Sequence, residues 1–97
     1  MIRVRFEENR LTVCGHAGYA ARGEDIVCAA VSALVNALIG DLQERGLVRE
    51  LVIRPGYVML CAGGACAAEF ALVRCGLEQL QARYGEFVSV ETTVHGS

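Results

Sequence analysis

His16 and Cys28 are the two residues whose types and spacing could do chemistry. They stand twelve positions apart in GHAGYAARGEDIVCAAVS, residues 15–32. A neutral imidazole can take a thiol proton, and the thiolate so formed is a strong nucleophile. Three readings fit the stretch. It holds a nucleophile with its base, or half of a metal site, or a loop entering a buried helix. In the third, Cys28 is a small core hydrophobe, the commonest fate of a cysteine.

Local signals favour a helix start here. Asp25 suits an N-cap, which places Cys28 in the first helical turn. Unpaired amides and the positive end of the helix dipole favour an anion there, so the Cys28 thiol should ionise more readily. The same first-turn amides could stabilise an oxyanion. Ser32 follows one turn later on the same face, where it could orient thiol, imidazole or substrate. The segment from Gly15 to Glu24, with Gly15, Gly18 and Gly23, reads as a loop or lid. Zinc is the rival chemistry, with Cys14, His16 and Cys28 as ligands and Cys61 and Cys66 in reserve. The spacing does not match the usual paired cysteine knuckles. Cys61, Cys66 and Cys75 read more simply as packing residues, and His95 as part of a solvated tail.

The elements that must position these residues follow from periodicity. Ile2, Val4 and Phe6 alternate with Arg3, Arg5 and Glu7, the pattern of a half-buried strand. EEN turns the chain and RLTVCG returns it. A helix should run from Asp25 to about Arg45, with Gly46 ending it. Between Ile26 and Gly40 its only plainly polar side chains are Ser32 and Asn36. Such a helix must be covered on more than one side, and a dimer partner would supply that cover. ELVIRPGYVMLC is a second hairpin, with Pro55 and Gly56 suited to a type II turn. A second helix, about Cys66 to Tyr84, carries the stripe Phe70, Val73, Leu77, Leu80, Tyr84. FVSVETTV is a last strand. The expected class is α+β, with two layers in ββαββαβ order. Two helices pack on one face of a mixed, mainly antiparallel sheet.

Composition limits the rest. The chain of 97 residues is the size of one domain, 1–97. With 54% hydrophobic and 21% charged residues it is globular, and a net charge of -2 offers no basic face for direct nucleic-acid binding. Met1 leads directly into a strand pattern, so no signal peptide is expected. The longest charge-free run, Ile26 to Gly40, is 15 residues, short for a membrane span. The expected compartment is the cytoplasm, where the five cysteines should be thiols.

These residues resemble a family. Gly15-His16-Ala17, then Gly23, Asp25, Ile26, Val27, Cys28, Ala29 and Ser32, are similar to the signature of the bacterial ribosomal-processing cysteine proteases. That signature has Gly-His-Ala, a glycine-containing loop, Gly-x-Asp, two β-branched residues and Cys-Ala, with a Ser four residues after the Cys. The resemblance implies that Cys28 is the nucleophile and His16 the general base and later acid. It gives Asp25 and Ser32 supporting roles, and makes the loop a cover that moves aside for substrate. It also implies a cytoplasmic homodimer, without metal or cofactor. Its substrate would be the N-terminal extension of large-subunit ribosomal protein twenty-seven, cut after an aromatic-rich apolar stretch during ribosome assembly. The alternative is a non-catalytic ribosome-assembly or protein-binding module of the same fold.

Overall fold

The computed structural model describes residues 1–15 and 22–93, excepting the side chains of residues 22–25. The elements are β1 (Ile2–Glu7), β2 (Arg10–Cys14), α1 (Arg22–Glu44), β3 (Val48–Arg54), β4 (Tyr57–Ala62), α2 (Ala67–Tyr84) and β5 (Val88–Thr93). This is the expected ββαββαβ order. The five strands form one sheet in the order β3-β4-β2-β1-β5. Neighbours are antiparallel except β1 and β5, which run parallel with Ile2 opposite Val88.

Alternation decides which face of the sheet is covered. Ile2, Val4 and Phe6 of β1 are buried, as are Leu11 and Val13 of β2, Leu60 and Ala62 of β4, and Val88 of β5. The helices meet that face. In α1, Val27, Val31, Val35, Leu38, Ile39 and Leu42 recur at helical spacing and are all buried; in α2, Phe70, Val73 and Leu77 are. Phe6 and Phe70 meet edge to face with centroids 6.4 Å apart, which fastens α2 to the sheet. The opposite face carries Arg3, Arg5, Arg10, Glu7, Glu50 and Glu91 around a shallow concavity of about 770 Å³. Charges of both signs on an uncovered face are what a sheet packed on one side presents to water.

The turns close as their residues require. Gly56 has φ +73, the positive value needed after Pro55 in a type II turn. The Leu47 amide donates to the Leu42 carbonyl and the Gly46 amide to that of Gln43, so the last turn of α1 closes as a Schellman motif. The Arg45 guanidinium pairs with Asp41 and Glu69 and donates to the Ala65 carbonyl, joining the end of α1 to the start of α2.

Two sequence expectations about α1 are corrected. It starts at Arg22 rather than after an N-cap at Asp25, so Gly23, Glu24 and Asp25 belong to its first turn. Acidic residues suit the first turn as well as the cap position, so their presence could not fix the boundary. In addition, Ile26–Glu44 is long and apolar enough to cross a membrane by length and composition, beyond the shorter charge-free run. Its buried stripe against sheet and α2 is the pattern of a core helix.

Candidate active site

Cys28 is half-buried on α1 and lines a groove of about 480 Å³ between that helix and one end of the sheet. Val31 and Ser32 continue its helical wall. Ile2, Val13 and Val58, from three adjacent strands, make an apolar floor. The β3–β4 turn, Arg54 to Tyr57, forms the opposite rim. Gly15 closes the end. Among the described residues the arrangement is a mostly apolar trough with a thiol on its wall, the usual form of a binding site.

Ser32 stands one turn after Cys28. Side chains on a helix lean toward its N-terminus, so the Ser32 hydroxyl leans toward the turn that carries the thiol. The structure thus brings together Cys28 and Ser32. His16, Gly18 and His95 lie outside the described residues, and so does the side chain of Asp25. Gly15, the residue before His16, borders the same groove as Cys28.

The lid reading is corrected at two of its glycines. Gly23 is part of α1. Gly15 is fixed rather than loose: its amide donates to the Gly56 carbonyl at 3.1 Å, and its φ is +97. A Cβ built there would overlap the Met1 carbonyl oxygen, a backbone atom that cannot turn away. Gly15 therefore holds the backbone in one conformation at the end of β2. Gly15→Ala should meet both the positive-φ penalty and this overlap. The expected result is a loss of stability of about 1–3 kcal/mol. Thermal melts of the two proteins check it.

The helix-start argument for Cys28 is also corrected. Counted from Arg22, Cys28 is the seventh helical residue. Its amide lies beyond the four unpaired donors of a helix start, and the dipole's influence fades within the first turn. Cys28 is thus not placed to draw on first-turn amides.

The metal reading finds little support in the placement of the thiols. Cys14 borders the charged outer face of the sheet, whereas Cys28 borders the groove on the helix side. Cys66 is buried at the start of α2 and Cys75 is exposed on it. Among the described residues, no three or more His, Cys, Asp or Glu side chains gather to hold a metal ion.

Sequence reasoning missed the Arg54–Tyr57 turn as part of the site. Its Pro-Gly signal described a hairpin, and nothing local places that hairpin beside Cys28.

Known proteins give the geometry a context. A model of the family described as cysteine protease Prp matches residues 1–89. The ribosomal processing cysteine protease Prp of Mycoplasma pneumoniae is 49% identical over 35 residues, 36% of this chain and 35% of that protein. The aligned part thus spans about a third of the curated relative. Among solved structures, the chain is similar to an essential ribosomal processing protease Prp from S. aureus in complex with a substrate peptide. The TM-score is 0.84 at 18% identity, covering 96% of this chain and 100% of that one. It is also similar to the S. aureus Prp in complex with a covalently linked product peptide, with TM-score 0.80 at 19% identity and coverage of 96% and 100%. At these identities the two structures establish the shared fold.

Proposed function

Because the chain belongs to the cysteine protease Prp family, we propose that it is an endopeptidase acting through Cys28. The observation that carries the reading is the half-buried thiol on the wall of a mostly apolar groove. His16 takes the Cys28 proton, and the thiolate attacks the scissile carbonyl to form a C–S bond. The tetrahedral intermediate collapses as His16 returns the proton to the leaving amine, which breaks the C–N bond. Water, deprotonated by His16, then hydrolyses the thioester and restores the thiol. The Ser32 hydroxyl lies one turn after Cys28 on the same helical wall. Its proposed role is to hydrogen-bond the reacting carbonyl or thiol. Asp25, one turn before Cys28, has a supporting role. The chemistry needs no cofactor.

The proposed substrate is the N-terminal extension of large-subunit ribosomal protein twenty-seven. An apolar stretch before the cut matches the floor of Ile2, Val13 and Val58. The compartment follows as the cytoplasm, where ribosomes assemble. Incubation with the host's extended ribosomal protein, read by mass spectrometry, tests this. Release of the short N-terminal fragment supports it, and an uncut protein contradicts it.

The same reading includes a homodimer. Ala29, Ala33, Ala37 and Gly40 on the outer side of α1 stay exposed in the single chain. A second copy packed on that small, apolar surface would complete the cover such a helix needs. Light scattering at micromolar concentration should give the dimer mass, and a sharp monomer would contradict it.

A further inference from the structure

One cross-strand row runs the full width of the sheet on its helix side: Val90, Val4, Val13, Val58 and Ile53. Its cover is uneven. Val4 and Val13 are buried, Val58 is half-buried and Ile53 is 62% exposed. Ile53 thus extends the groove floor past Val58 to the open edge of the sheet. An exposed aliphatic side chain is out of place there, because edge strands usually carry charge. The other exposed residues of β3, Arg49, Glu50 and Arg54, follow that rule.

We infer that Ile53, with Val58, forms a second apolar subsite that holds a bulky side chain of the peptide substrate away from the scissile bond. The inference rests on the peptide-substrate reading above. Continuity with the groove identifies the occupant: an extended peptide leaving Cys28 along the floor toward β3 reaches Ile53 next. Two strand spacings, about 10 Å, separate Val13 from Ile53. An extended peptide covers that in about three residues. Alternate side chains of an extended peptide face the same side, so the subsite reads the residue about two or four positions from the one that sits over Val13. Ile53 is a specificity-determining residue and takes no part in bond breaking.

The test measures binding apart from cleavage. A fluorescein-labelled peptide carrying the extension's apolar stretch is titrated by anisotropy against the Cys28→Ala protein and against the same protein with Ile53→Ser. The side chain is exposed, so the Ile53→Ser protein should fold. Affinity should fall about tenfold, the scale of a lost apolar contact in a pocket. Ile53→Leu should restore it. Apolar peptide positions are then changed to Ser one at a time. One of them should cost affinity with the Ile53 protein and cost nothing further with the Ile53→Ser protein, the signature of direct coupling. Equal affinity of the two proteins for every peptide overturns the subsite while leaving the protease reading intact. Unchanged affinity with loss of the dimer mass in Ile53→Ser assigns the side chain to a contact between copies, and also overturns it. Binding by neither protein overturns the peptide reading and the subsite together.

Discussion

Cys28→Ala is expected to lower peptide cleavage by about 10⁴-fold or more while the protein remains folded. The thiol is the only strong nucleophile among the described side chains of the groove wall, and without it no thioester forms. The fold should survive because Cys28 is half-buried and sits outside the fully buried set of Leu11, Leu42, Leu60 and Leu77. Loss of one sulfur from such a position costs about 1 kcal/mol. Peptide kinetics and a thermal melt, run side by side, check both halves. Full activity in a folded Cys28→Ala protein would remove Cys28 from the mechanism.

The second large effect is expected at His16. His16→Ala should lower kcat/KM by about 10²- to 10⁴-fold, the usual contribution of a general base. Its other consequence separates two sources of thiol activation. Cys28 lies in the second turn of α1, where the helix dipole has faded. On the proposed mechanism the thiolate then depends on the imidazole. An imidazolium beside a thiolate favours its charged form, so on this mechanism its removal makes Cys28 less reactive. Near neutral pH, Cys28 should be the fastest of the five thiols to react with iodoacetamide. In His16→Ala it should slow to the rate of Cys75, which is exposed on α2 and serves as an internal reference. A Cys28 rate unaffected by His16→Ala would return the activation to the helix.

Much of the fold can be read from local pattern because local pattern is what shapes it. The Ile2, Val4, Phe6 alternation, the Phe70 to Tyr84 stripe and the Pro55-Gly56 turn each follow from neighbours a few residues apart. The parallel pairing of β5 with β1 does not, since it joins the two ends of the chain across both helices. The start of α1 escapes local pattern too, because an acidic residue serves equally at the cap and in the first turn. At the site, sequence singles out Cys28 and Ser32, and the groove holds both. It does not single out the far rim, because Arg54 to Tyr57 come to Cys28 through strand order. Ile53 is hidden for a related reason. It reads as an ordinary strand residue until its row is traced past the edge of the helix.

Acid quenching during turnover of the extended ribosomal-protein peptide, followed by peptide mapping, tests the nucleophile most directly. A thioester between the N-terminal fragment of the substrate and Cys28 is the expected result. Cleavage with the acyl group on another cysteine, or with no covalent species on the enzyme at any time of quenching, would contradict it.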